Sequence, residues 1–474
     1  MTIGEKIVII GNGPAGTRAV ETLCRAGCRD VTVISEAPAS GGQIYRRQPP
    51  GFTRDAKTLY GDDSDKASRL HATFDALADD IASRSETLVW NILDQQIYTH
   101  GPGGIEILPF DRLVLATGAM DRVLPLPGWT LPGVFTLGGA QIALKHQCCA
   151  IGRAVVFVGT GPLLYLVAYQ YAKAGANVVA VLDSARFADK ARALPRLALA
   201  PRLLLRGLVY RRHLTQRGVP IHEGARPLAI TGDAFVAGLR FRDAAGEEHT
   251  LICDAIGLGF GLNPELQLAE LAGGRTVFDA SKRQWLLEHD GEGRVADRIY
   301  VAGDGVAIGG ADVAELAGER AALALLADLG KAADRSRLDE IGREMSRLAA
   351  FRTGLDRAFA YPASWIAEQP DETILCRCEN VTFGDVRTAI RRHSPQEVNR
   401  LKALARSGMG RCQGRVCGAV LAELLAATSG RPLETVGRLR GQAPIKPLPY
   451  VAAANQAATA IHDWMTTDEV EPVP

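Results

Sequence analysis

Short runs of consecutive apolar residues, each stopped by glycine and followed by apolar positions spaced three or four apart, recur along this 474-residue chain. The pattern predicts strands buried on both faces that alternate with helices, as in a parallel sheet. It appears first in "KIVIIGNGPAGTRAVETLCRAG", which leads into "VTVISE", and again in "AVVFVGTGPLLYLVAYQYAKAGANVVAVLD". Each predicts a strand, a glycine turn, a helix and a second strand. "FDRLVLATGAMDRVLPLPG" and "DRIYVAGDGVAIGG" each predict a strand delivered into a glycine turn. Between Arg186 and Arg217, leucines interleaved with nine Lys/Arg and one acidic residue predict an amphipathic helical hairpin broken near Pro195 and Pro201.

Length and charge narrow the reading. A chain this long holds roughly two to four folding units and can enclose a cofactor. Lys+Arg 54 against Asp+Glu 53 leaves a net charge of +1, so no overall nucleic-acid footprint is expected. The start, "MTIGEKIVIIGNG", runs directly into a strand without the marks of a signal peptide. No apolar run of about 18 residues predicts a membrane span. Cys24, Cys28, Cys148, Cys149 and Cys253 are scattered, and the total of nine cysteines is odd, unlike a secreted disulfide framework. A reducing, cytoplasmic setting is expected.

The first strand-turn-helix unit carries G-x-G-x-x-G in the context a dinucleotide fold requires. Gly11 permits the turn, Gly13 lets backbone N–H groups approach a pyrophosphate at the helix start, and Gly16 brings helix against strand; Pro14 and Ala15 complete the motif. Glu36, twenty residues after Gly16, is placed to accept from ribose hydroxyls. The second unit keeps Gly159 and Gly161 but has Leu164 at the third position, so whether it binds NAD(P) stays open. It contains no C-x-x-C, which disfavours disulfide-reductase chemistry.

"SGGQIYRR", the A-T-G stretch and the G-D stretch together resemble two-dinucleotide-binding-domain flavoproteins. That resemblance implies FAD on the N-terminal unit. The expected FAD set adds Gly42, Gln43, Ala116, Thr117, Gly118, Gly303 and Asp304, with Asp304 toward the ribityl chain.

Cys376 and Cys378 form C-x-C, and after 33 residues Cys412 and Cys417 form C-x4-C. Four thiolates suit a [2Fe-2S] core, and zinc is the competitor. Zinc ribbons favour paired C-x2-C, whereas C-x-C-x33-C-x4-C resembles the [2Fe-2S] domain of bacterioferritin-associated ferredoxin (BFD), in a variant of its second pair. "VTFGDVRTAIRRH" predicts a capped helix with Thr382 at the cap and Asp385 three residues on. Arg377, Arg411 and Arg415 are expected to favour an added electron on the cluster.

The order of units resembles that of the α (or A) subunits of heteromeric opine (octopine, nopaline) oxidases/dehydrogenases. Subunits of hydrogen cyanide synthase, D-hydroxyproline dehydrogenase and heteromeric sarcosine oxidase are related. "GGQIYRR" and "CRCENVT…GRCQGRVCG" carry the resemblance, with a weaker match in "LRGQAPIKPLP". It implies α/β architecture: an FAD domain at 1–120 and 255–330, an NAD(P)-like domain inserted at 121–254, a linker at 331–370, a helical BFD-like [2Fe-2S] domain at 371–430 and a tail at 431–474. It also implies a flavin-containing, amine-oxidase-like β subunit where the C–N bond is oxidised. A small γ subunit, a second flavin (FMN) at a subunit interface and a terminal electron acceptor complete the expected assembly. No catalytic residue is expected in this chain, where His146, His213 and His222 stand isolated. Self-contained NAD(P)H-dependent reduction of a redox partner is the alternative, with Leu164 counting against it.

Overall fold

The computed structural model describes residues 5–450 except Thr53. Two parallel sheets organise the chain. The first runs, edge to edge, Arg294–Ala296, Ile299–Val301, Arg112–Leu115, Ile7–Ile10, Val31–Ile34 and Ala82–Arg84, with only the first pair antiparallel. The second runs Ile221–Glu223, Val178–Asp183, Val155–Gly159, Ala255–Gly259 and Val134–Thr136, all parallel. The central strands, IVII and VVFVG, are buried at every position, which is why their sequences show no polar alternation.

The expected boundary at 255 makes Ala255–Gly259 open the returning half of the first unit. It instead pairs with Val155–Gly159 at the heart of the second sheet. A fully buried strand reads alike for either sheet, so sequence alone does not assign it. The expected linker also proves structured. Arg335–Ala358 is a 24-residue helix, started by the Asp334 side chain accepting from Arg337 N–H. Its Phe351 and Ala358 pack on Ala193, Leu197 and Ala200.

The basic hairpin forms as Phe187–Leu197 and Pro201–Gln216. Its break falls at Pro201, which takes the first helical turn, while Pro195 stays inside the first helix. Only one face is buried against the chain, and Leu194, Leu199, Leu205 and Leu208 remain exposed.

The cysteine unit consists of a short hairpin, Ile374–Cys376 with Val381–Thr382, and the helices Phe383–His393, Val398–Ala405 and Gly418–Ser429. Thr382 and Asp385 form the reciprocal capping box. The unit shares one hydrophobic core with the second sheet: Leu375, Phe383, Val420 and Leu424 join Val156, Val158 and Ile256. The Trp129 indole also donates to the Ile374 carbonyl at 2.7 Å. Among the described residues no helix is long and apolar enough to cross a membrane.

Candidate flavin and iron–sulfur sites

The expected FAD residues converge around the start of the Pro14–Arg25 helix. A Cβ on Gly11 would sit 2.3 Å from the Ala116 carbonyl oxygen, and one on Gly16 would sit 1.8 Å from that of Gly11, so both glycines are sterically required. Gly42 lies against Gly13, which joins the G-x-G turn to the "GGQ" loop. Gly303 faces the Ala15 methyl, and Gly305 faces the Thr117 hydroxyl. The Asp304 carboxylate accepts from the Gly309 and Gly310 N–H groups at 2.8 and 3.0 Å, just before the Ala311–Asp328 helix.

Two helix starts and a narrow glycine cradle therefore meet in one place, which suits a pyrophosphate. Glu36 is half exposed and forms an ion pair with Lys446. Gln43 is exposed and accepts from Arg46 at 3.1 Å.

Gly318, within the Ala311–Asp328 helix, is not among the expected site residues. A Cβ there would lie 2.0 Å from the Ala15 carbonyl oxygen, so it sets how closely the two helices approach beneath the cradle. Its signal is a lone glycine inside a helical pattern.

The four cysteines come together, as their spacing requires. The Cys417 sulfur lies within hydrogen-bond reach of Cys376 and of Cys412, and the Cys378 sulfur within reach of Cys412, which links the four sulfurs in an open chain. A tetrahedral zinc site would hold all four sulfurs about 3.8 Å apart, from Zn–S bonds of about 2.3 Å. Among the described residues, the one set of three or more ligating groups mutually within 4.8 Å is Asp243, Glu247 and His249, on a surface hairpin. The open arrangement fits a two-iron core better than a single ion.

At two of the four sulfurs, Cys376 and Cys412, the surrounding donors favour thiolate. Cys376 is lowered to about 6 by the Cys417 thiol and by N–H groups of Gly408, Glu379 and Cys378, against the opposing effect of burial. Cys412 is lowered to about 5 by Cys417, with help from the N–H groups of Val416 and Gly414. Cys417 is raised well above the ordinary thiol range by its contacts with the Cys376 and Cys412 sulfurs and by burial, and Cys378 is raised chiefly by burial. A Cβ on Gly410 would strike the Cys378 Cβ at 2.4 Å. Behind the loop, Leu439 packs into the space left by Gly408, Gly414 and Gly418.

The expected cationic collar is only partly present. Arg411 is exposed, Arg377 lies over the Trp129 ring, and Arg415 is neutralised by Glu265 at 2.7 Å. That last pair joins the two sites. Glu265 receives the Thr117 hydroxyl on its carbonyl oxygen, its N–H donates to the Gly118 carbonyl, and the Arg415 guanidinium reaches the Cys412 and Ile445 carbonyls. A cluster of buried Arg122 and Glu423 with half-buried Tyr361 and exposed Arg283 braces the same junction. Arg122 stacks 3.5 Å from the Tyr361 ring, and Arg283 clasps Glu423.

The three expected non-catalytic histidines are spread apart. His146 Nδ1 lies at the Arg47 carbonyl, His213 packs on Tyr169, and His222 packs on Phe241.

Fold and site define a flavoprotein unit joined to an iron–sulfur unit. The family model for pyridine nucleotide-disulphide oxidoreductases matches residues 5–321, and that for the BFD-like [2Fe-2S] binding domain matches 374–427. The protein is thus an FAD-dependent oxidoreductase subunit with a [2Fe-2S] cluster. Over 96% of its length it is 36% identical to the A-type subunit of opine oxidase from Rhizobium meliloti, covering 89% of that chain. It is 31% identical to hydrogen cyanide synthase subunit HcnB of Pseudomonas aeruginosa, over 96% of this chain and 99% of that one. Within the pyridine nucleotide-disulphide oxidoreductases, the chain belongs to the family of these subunits. An L-proline dehydrogenase structure from P. horikoshii shares the fold at TM-score 0.70 and 21% identity, covering 95% of this chain and 79% of that one.

Proposed function

We propose that this chain is the electron-transferring α subunit of a heteromeric, cytoplasmic dehydrogenase or oxidase. Its substrate class is an opine or related secondary amine, oxidised at the C–N bond in a flavin-containing β subunit. The observation that supports this most strongly is the Thr117–Glu265–Arg415–Cys412 connection, which fixes the cysteine loop against the flavin motif through side chains that are nearly buried. Similarity along nearly the whole length to an opine oxidase subunit favours the opine class over glycine or hydroxyproline. All nine cysteines are free, in keeping with a reducing compartment.

On this reading Cys376, Cys378, Cys412 and Cys417 hold the cluster, and Gly11, Gly13, Gly16 and Gly118 with Asp304 hold FAD. Glu36 accepts from its ribose once Lys446 yields. Bound there, the flavin supplies two-electron chemistry and the cluster one-electron transfer. The chain's own work is placement. N–H groups of Gly408 and Glu379 favour the thiolate of Cys376, those of Val416 and Gly414 favour that of Cys412, and the Glu265–Arg415 pair holds the loop in register with the A-T-G turn. C–N oxidation is assigned to the partner, and this chain keeps the relay.

Turnover of octopine or nopaline tests the proposal. Co-purified α and β subunits should oxidise the opine with a dye acceptor, while this chain alone should be inactive. Substrate-dependent dye reduction by the isolated chain would overturn it.

A further inference from the structure

The second strand of each nucleotide-fold unit leads to an acid, Glu36 two residues past Val31–Ile34 and Asp183 at the end of Val178–Asp183, and the structure treats the two acids in opposite ways. Glu36 has a half-exposed carboxylate with one surface lysine beside it. Asp183 is completely buried, and both its oxygens are taken. Oδ1 accepts from the Thr160 hydroxyl at 3.2 Å and the Ala185 N–H at 2.9 Å; Oδ2 accepts from the Tyr165 hydroxyl at 2.7 Å and Lys190 Nζ at 2.5 Å.

Lys190 also donates to the Tyr165 oxygen at 3.0 Å and to Glu223 at 2.7 Å, and Arg211 grips Glu223 from the other side. Phe359, just beyond the long Arg335–Ala358 helix, covers the group edge-on to Tyr165 and 5.2 Å from Lys190.

In a dinucleotide fold that acid must be free to accept from the adenosine ribose. A carboxylate offers about four acceptor sites, and Asp183 has four donors. Displacing Lys190 would leave a buried carboxylate without its cation, a larger loss than ribose hydroxyls can repay. At the helix–strand contact, Leu164 is fully buried where the third glycine would stand. The loop end stays open at Gly161, where a Cβ would meet nothing within 4 Å, so the obstruction lies at the ribose end.

We infer that this unit no longer binds the pyridine nucleotide its fold family implies. Lys190, Tyr165 and Phe359 fill the ribose position, and the acid serves as the anchor that ties the basic hairpin to the second sheet. Lys190 lies in the first hairpin helix and Arg211 in the second, so both helices are tied to the acids at the strand ends.

The test is titration of the FAD-loaded full chain with NADH and NADPH. Binding is followed by energy transfer from tryptophan to the nicotinamide, and flavin absorbance is recorded without oxygen. No saturable binding up to millimolar nucleotide is expected. Saturable binding without flavin bleaching would overturn this inference and leave the electron-transfer reading standing; binding with bleaching would overturn both. Lys190→Ala tests the anchor itself. Its melting temperature should fall several degrees below wild type, because the buried Asp183 loses its cation. An unchanged melting temperature would contradict the anchor.

Discussion

Lys145 shows what burial does to one charge. Its side chain is sealed among Tyr60, Asp63 and the Ile44 carbonyl, to which its Nζ donates at 2.7 Å. Burial lowers its pKa to about 7, whereas an unfolded lysine titrates near about 10.4. Between those values the unfolded chain binds the extra proton, so this group makes stability rise with pH by about 1.4 kcal/mol per unit. Below pH 7 the buried ammonium exacts its full cost. Urea unfolding of Lys145→Met should therefore show the variant gaining most over wild type near pH 6, with the advantage shrinking toward pH 9. A difference independent of pH would contradict the assignment. Nothing around Lys145 in the sequence marks it as buried, because its partners come from the Ile44 loop and the Asp63 turn, far away in the chain. Cys376, Cys378, Cys412 and Cys417 are legible for the opposite reason: ligation chemistry prescribes their spacing.

Among the elements, contact between the Pro14–Arg25 and Ala311–Asp328 helices decides whether the FAD cradle closes. Gly318→Val would drive a branched side chain into the Ala15 carbonyl, where even a Cβ has only 2.0 Å. The purified variant should lose most of its FAD, read as the flavin-to-protein absorbance ratio, and melt several degrees lower. Retention of FAD at the wild-type ratio would show that the helix separation is not limiting. The strands and glycine turns are readable because βαβ units repeat a local pattern. The assignment of Ala255–Gly259 and the helix Arg335–Ala358 are not: the former depends on which sheet receives a buried strand, and the latter has apolar positions too sparse to stand out. The hairpin is foreseeable from its pattern, but which of its leucines are covered is decided by Phe351 and Ala358.

Across the whole molecule, the iron–sulfur unit is built into the flavoprotein rather than strung beside it. It shares a core with the second sheet, it is bridged by Glu265–Arg415, and its loop is backed by Leu439 from the C-terminal segment. That segment also sends Ile445 to the Trp90 carbonyl and Lys446 to Glu36, so residues expected to form a simple tail touch both sites. Residues 451–474 of that tail lie outside the described residues. These long-range contacts leave no periodic trace in sequence, which is why the two cofactor motifs can be read but not their junction. The junction is the reason to assign electron transfer to this chain. The most direct measurement is the electron paramagnetic resonance spectrum of the α–β complex, frozen after anaerobic addition of opine. The reduced-cluster signal should appear in wild type and be absent from Cys417→Ser, whose iron content should fall from about two atoms per chain toward zero. Bleaching of the β flavin by substrate with no cluster signal in the iron-loaded wild-type complex would contradict the assignment.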